Sequence, residues 1–268
     1  MMKKALIHLK EDLQSSIGFR YAAAYTSQSG LDLQVIHVVE PTSKPQDNTG
    51  WVRRSWEDKM IAAGCDEVNR LIRTENIAYF EAGEPKIAIG DKDEEILDEL
   101  KNGAYSMYFE GYLNKDNHAD FLNFLDAQRF QEMSCPLLIV KDLVTIDNLF
   151  LLVNDEVDAD KIIPGLNNLY AKSKNQINLT VLYYKFKKGQ ELLFKEKKET
   201  GSYLDNIGTL LEQNGWNEPE WIVVEGSPKK AAVYMQGYGL VATAFPTKIT
   251  PRAELLAHLT NPVLIFPR

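Results

Sequence analysis

No stretch of this sequence approaches the roughly 20 apolar residues of a membrane span. The apolar run after Lys3-Lys4 is too short for a secretory signal, so a cytoplasmic setting is the expectation. Positive charge is also in short supply. Thirty Lys and Arg face 38 Asp and Glu, a net charge of −8, which argues against a nucleic-acid groove or an anionic membrane as main partner. Only two cysteines occur, Cys65 and Cys135, and neither has a second Cys or a His at ligand spacing. A disulfide framework and a zinc site are therefore not expected, and Cys135, just before an apolar strand, reads as a small buried thiol in a reducing compartment. There is no nucleophile elbow, Walker loop or paired-carboxylate arrangement. Of four histidines, His8 and His37 fall on central strands, where a backbone partner is the ordinary role, and His118 and His258 have no Asp or Ser at recognisable spacing. The sequon Asn178-Leu179-Thr180 falls inside a strand and reads as chance.

What the chain does have is a repeated strand–helix–strand unit. Its 44% hydrophobic and 25% charged residues are ordinary globular composition, and 268 residues suffice for two cores. Lys4 to Leu9 reads as a buried strand, Gln14 to Ser27 as a helix stopped by Gly30, and Leu33 to Pro41 as a second buried strand. Near-continuous apolar strands joined by a helix form a parallel pair with a right-handed crossover, covered on both faces.

Further along, Pro41 to Gly50 reads as a loop and Trp56 to Glu75 as an amphipathic helix. Ala78 to Glu81 reads as a third strand closed by Gly83-Glu84-Pro85. Asp91 to Leu100 is a helix whose acidic start, Asp91, Asp93, Glu94 and Glu95, suits a helix N-terminus better than a cation site. A strand at Tyr105 to Phe109, a helix at Ala119 to Met133 and a strand at Pro136 to Val140 complete the set. The order then recurs. Strands at Leu149–Val153, Leu179–Tyr184, Trp221–Glu225, Leu240–Phe245 and Pro262–Phe266 alternate with helices at Asp160–Lys174, from near Gln190 to Gln213, at Lys229–Gln236 and at Pro251–Leu259. The lysine-rich stretch Lys185 to Lys198, interleaved with glutamates, reads as a solvated, partly helical face. Matching Gly83-Glu84-Pro85 to Gly226-Ser227-Pro228, and Ser134-Cys135-Pro136 to Thr260-Asn261-Pro262, gives two α/β domains, 1–143 and 148–268. The second is the shorter between its third and fifth strands.

The opening strand, Tyr21-Ala22-Ala23-Ala24, His37-Val38-Val39-Glu40-Pro41, the Gly-x-Pro turns and Cys135-Pro136-Leu137-Leu138-Ile139-Val140 occur in an order that resembles the universal stress protein family, in tandem. The resemblance implies two Rossmann-like modules. Each is a five-stranded parallel sheet of order 3-2-1-4-5, with ligands at the crevice beside the first and fourth strands. It also implies an internal pseudo-dimer through the fifth strands, Pro136 to Val140 and Pro262 to Phe266, and leaves room for a homodimer.

Members of that family that bind ATP are similar in using an Asp after the first strand and a glycine loop, Gly-x2-Gly-x9-Gly-(Ser/Thr), after the fourth. Here the Asp position holds Lys10 in one copy and Asn154 in the other. Counting from Gly111, the glycine positions fall on Asn114 and Phe124 and the hydroxyl position on Leu125. The second copy has no glycine between Ala244 and Thr250. A side chain where bare backbone must cradle phosphate blocks its approach. The ligand-binding candidates are Lys10, Val38, Gly111 and Asn114 in the first copy and Asn154 and Asp155 in the second. Lys10 could meet an anion but reads first as solvated beside Glu11 and Asp12. The oxygen cluster Asn154 to Asp160 could hold a divalent cation but reads first as a helix cap. The expectation is a non-enzymatic stress-response protein without a cofactor, acting through protein contacts or a small ligand. The alternative is an ATP- or AMP-binding protein with weak ATPase activity in the first crevice.

Overall fold

The structure is a computed structural model that describes residues 3–41, 50–77, 83–113, 118–144, 147–155, 157, 159–189, 191–200, 202–246 and 250–267. Among these residues the elements run β1 (Lys4–His8), α1 (Leu13–Ser29), β2 (Asp32–Val39), α2 (Gly50–Glu75), β3 (Lys86–Ile89), α3 (Lys92–Gly103) and β4 (Tyr105–Gly111). They continue with α4 (His118–Leu125), α5 (Gln128–Gln131), β5 (Leu137–Val140), β6 (Asn148–Val153), α6 (Ala159–Tyr170) and β7 (Asn178–Phe186). The last are β8 (Leu193–Lys195), α7 (Ser202–Gln213), β9 (Glu220–Gly226), α8 (Pro228–Met235), β10 (Leu240–Ala244), α9 (Pro251–His258) and β11 (Val263–Phe266). No described helix is long and apolar enough to cross a membrane.

The chain divides into two compact units. One comprises Met1–Tyr112 and Ala127–Cys135, the other Leu113–Asp126 and Pro136–Arg268. The compact units do not follow the sequence repeat, because α4 and β5 of the first copy group with the second.

The first unit carries the parallel order β3-β2-β1-β4. β1 is buried from Ala5 to His8, and β4 buries Met107, Tyr108 and Phe109. Such strands demand helices on both faces. α1 begins where the Asp12 carboxylate accepts the Ser15 N–H at 2.7 Å, a standard N-cap. It ends at Gly30, whose φ of 70° is the left-handed conformation that suits a residue without Cβ.

The second unit has the order β5-β11-β10-β6-β7-β9-β8. Its central strands β11-β10-β6-β7-β9 are parallel and realise the order 3-2-1-4-5 expected of the second copy. β5 lies antiparallel on β11, with Leu138 opposite Leu264. Lys141, just after β5, is buried beneath the end of α9 and donates to the carbonyls of Leu256 and Leu259 at 2.7 and 3.1 Å. That is a cation placed at a helix C-terminus, where unsatisfied carbonyls concentrate negative potential.

Three sequence expectations need correction. The strand that pairs with β2 is Lys86–Ile89, beyond the Gly83-Glu84-Pro85 turn, whereas the expected Ala78–Glu81 lies outside the described residues. Gly90-Asp91-Lys92 is therefore the counterpart of Gly226-Ser227-Pro228, since each ends a strand and opens a helix. The helix expected over Ala119 to Met133 breaks between Leu125 and Gln128, where Ala127 is extended at φ −58° and ψ 138°. The helix expected from near Gln190 does not begin until Ser202. Leu193–Lys195 pairs antiparallel with β9 instead, because tertiary pairing outweighs local helical preference at a sheet edge. Gln190 itself and most of the loop Pro41 to Gly50 lie outside the described residues.

Candidate functional site

In the first unit β1 lies between β2 and β4, and the connections leave it in opposite directions. That switch point opens a crevice at the carboxyl ends of parallel strands. A cavity of about 380 Å³ occupies it. Lys10, Val38 and Gly111 all line this cavity, so three of the four first-copy candidates come together, while Asn114 lies outside the described residues.

Lys10 and Gly111 each have a role in the fold itself. The Lys10 amide N–H donates to the Ser15 hydroxyl at 3.0 Å, tying the turn to α1, and its side chain is exposed. Gly111 is required by packing: a Cβ there would stand 2.0 Å from the Gln14 carbonyl oxygen. Gly18 of α1 faces the same backbone, with the Gly111 nitrogen 3.1 Å from where its own Cβ would be. Two glycines thus let α1 lie directly on the end of β4. Gly111→Ala is expected to cost about 1–3 kcal/mol, as overpacking does in a tight interface, read as a lower urea midpoint with unchanged slope. The glycine-loop count continues to Phe124 and Leu125, which lie inside α4, where Phe124 stacks on Phe121 at 6.2 Å.

The floor of the crevice was less visible in the sequence. Glu110, 6% exposed, ends β4 beside His8 of β1. Lys92 Nζ donates to its Oε1 at 2.8 Å, the Arg129 guanidinium lies 3.6 Å from the same oxygen, and the Tyr108 hydroxyl donates to Oε2. Arg129 in turn donates to Asp93. Burial raises the Glu110 pKa, but Lys92, Arg129 and His8 outweigh it and bring it down to about 2. An ionised carboxylate is therefore built into the wall.

His8 is 7% exposed, and its ring nitrogens have no hydrogen-bond partner among the described residues. Burial first, then the charge of Lys92, lowers its pKa to about 3, against an opposing pull from Glu110. It lies parallel to His37 with ring centroids 6.3 Å apart. His37 is fixed differently: its Nδ1–H donates to the Leu9 carbonyl at 2.7 Å, because a carbonyl can only accept, and Nε2 faces Glu67 Oε2 at 3.8 Å. The backbone partner expected of a strand histidine holds for His37 and not for His8. Glu110 next to Gly111 was a readable signal, a carboxylate closing an apolar strand. Lys92 and Arg129 were not, since 18 and 19 residues separate them from Glu110 and no spacing rule joins them.

In the second unit Asn154 and Asp155 border a smaller hollow of about 160 Å³ with Tyr183, Lys185 and Arg252. The Tyr183 hydroxyl donates to Asp155 at 2.7 Å, and the Tyr203 hydroxyl donates to the carbonyls of Asn154 and Val157 at 2.9 and 2.8 Å. Two tyrosines pin this turn. Glu156 and Asp158 of the same oxygen cluster lie outside the described residues, and among the described ones no three His, Cys, Asp or Glu residues converge on a metal position. Cys135 is buried, and burial pushes its thiol up to about 12.

No protein-family model and no curated protein sequence matches the chain. Solved structures do. A universal stress protein from Archaeoglobus fulgidus is similar over 100% of both chains, with a TM-score of 0.64 at 14% identity. A functionally unknown protein from Pseudomonas aeruginosa PAO1 is similar over 99% of this chain and 92% of its own, with a TM-score of 0.57 at 12% identity. At such identities the likeness is one of fold, and over its whole length this chain has the α/β fold of that universal stress protein.

Proposed function

We propose that this chain is a tandem universal stress protein that works without catalysis, through protein contacts or a small ligand, and does not bind ATP through a glycine loop. The observation that carries this reading is Gly111, whose main chain is already covered by Gln14 and Gly18 of α1 and so is not bare for a phosphate to approach. The antiparallel pair of β5 and β11, the last strands of the two copies, supports an internal pseudo-dimer and shields each of these edges with the other.

Thermal unfolding in the presence of ATP or AMP, each with and without Mg²⁺, tests the reading. A site with its ligand at 100 times Kd gains about 2.7 kcal/mol, which moves a melting temperature by several degrees. A flat response at millimolar nucleotide is expected. A robust rise abolished by Lys10→Ala would instead establish a nucleotide site rebuilt from Lys10, Gly111 and Asn114.

A further inference from the structure

The crevice of the first unit has a charge balance and an unpartnered imidazole that together point to a ligand, and the inference rests on the reading just given. Its lining contains four carboxylates, Asp12, Glu40, Glu67 and Glu110, against two lysines, Lys10 and Lys92. Lys92 is spent on Glu110 at 2.8 Å, and Arg129 behind that pair is balanced by Asp93. Asp12 caps α1, and one oxygen of Glu67 accepts the Glu11 N–H at 3.0 Å. What remains lining the cavity is the second oxygen of Glu67, which faces His37 Nε2 at 3.8 Å, the carboxylate of Glu40, the exposed Lys10 side chain and the neutral ring of His8, and over the whole lining carboxylates outnumber lysines four to two. Glu40 also borders a neighbouring depression that carries Glu94, Glu95 and the indole of Trp56. Negative charge there is crowded as well as exposed: burial, then Asp98 and Glu94, raise the Glu95 carboxyl.

The independent pointer is His8. A ring more than nine-tenths buried, lining the crevice, neutral at physiological pH and with no hydrogen-bond partner among the described residues offers a ligand one N–H donor and one imine acceptor. The group that satisfies an imidazole lone pair and two carboxylates at once is an N–H donor carrying positive charge. A phosphate or carboxylate ligand would take only the imidazole N–H and would meet the two carboxylates with like charge. We propose that the first-unit crevice binds a small aliphatic amine, a mono- or polyamine whose ammonium group donates to His8 and is paired by Glu67 and Glu40. A longer amine extends past Glu40 toward Trp56, whose face attracts a second cation.

The experiment titrates the full-length protein with putrescine and spermidine by calorimetry, with 1,4-butanediol as the uncharged chain of the same length and AMP as the anionic control. Saturable one-site amine binding is expected, with no response to the diol. Glu40→Gln with Glu67→Gln is expected to weaken it roughly tenfold or more, as loss of charge-assisted hydrogen bonds does. Because any acidic protein attracts polyamines weakly, a matched variant removes two charges elsewhere, Asp205→Asn with Glu212→Gln in the second unit, and is expected to bind unchanged. His8→Leu, which keeps an apolar filling, is expected to weaken binding without abolishing the fold seen by circular dichroism. No saturable heat at 10 mM amine, or equal weakening by the crevice and control pairs, overturns the proposal. A flat AMP trace alongside absent amine binding overturns this inference alone, whereas AMP binding overturns the reading it rests on.

Discussion

Acidifying the protein from pH 6.5 to 3 is expected to destabilise it steeply, and His8→Leu is expected to remove most of the loss between pH 6.5 and 4.5. In the unfolded chain His8 takes up a proton as pH falls through its ordinary value of 6.5, while in the fold it stays neutral to about 3. Between those values the unfolded state binds more protons, so lowering pH favours unfolding by up to about 1.4 kcal/mol per pH unit. The stability from keeping His8 neutral is fully present above 6.5 and is lost as pH falls through the folded value. Over the whole window it amounts to about 4–5 kcal/mol, a large share of what holds an ordinary domain. Of the other resolved shifts only that of Glu95 reaches up into this window, and it opposes the effect of His8. Lys141, lowered to about 7 by burial, matters only between there and its ordinary value of 10.5. Glu75 and Glu110 are lowered carboxylates that act below 4.5, and Glu95, raised by burial and its acidic neighbours, works in the opposite sense. Urea midpoints at pH 7, 6, 5 and 4 for both proteins decide it. Parallel slopes for the two would mean that His8 charges freely in the fold.

Much of the architecture was legible because the strands are buried on both faces and so carry dense apolar runs. Ala5 to Leu9, Leu149 to Val153 and Val263 to Phe266 declare themselves by composition, and β5 and β11 by the Pro that precedes each run. Short edge elements were harder. Leu193–Lys195 is exposed at every position, and Lys86–Ile89 buries no residue completely, so neither has a pattern that distinguishes it from its flanks. A Gly-x-Pro turn at Gly83 resembled the one at Gly226 and drew the third strand eight residues too early. The site divides the same way. Lys10 and Gly111 were found because each falls on a position of the nucleotide motif of the family that the sequence resembles. The charge cluster around Glu110 is assembled from α3, β4 and α5, and only the fold brings those together. Likewise the sequence could place His8 on a central strand, but not that His37 takes the backbone carbonyl and leaves its neighbour with none.

Glu110→Ala is expected to cost about 3–5 kcal/mol, because it strands Lys92 and Arg129 against a wall that no longer neutralises them. Glu110→Gln keeps volume and an acceptor for the Tyr108 hydroxyl, so its loss should be smaller and nearly independent of pH. The acid limb separates the two roles of this carboxylate. With its folded value near 2 and an unfolded value of 4.5, the ionised form contributes stability that is present above 4.5 and disappears as pH falls through 2. That share is worth about 3 kcal/mol, and both variants should flatten this lower limb while extending the His8 window downward, because the charge that holds the His8 value up has gone. Replacing both partners gives the sharper result. Glu110→Leu with Lys92→Met removes an ion pair whose desolvation offsets its attraction, and leaves Arg129 on Asp93, so most of the stability lost by Glu110→Ala is expected to return. If it returns, stability does not account for a buried ion pair in the wall of the crevice. The double variant should then show a higher His8 titration midpoint than any protein retaining Lys92, measurable by NMR of the imidazole protons, because the largest charge that lowers it has gone.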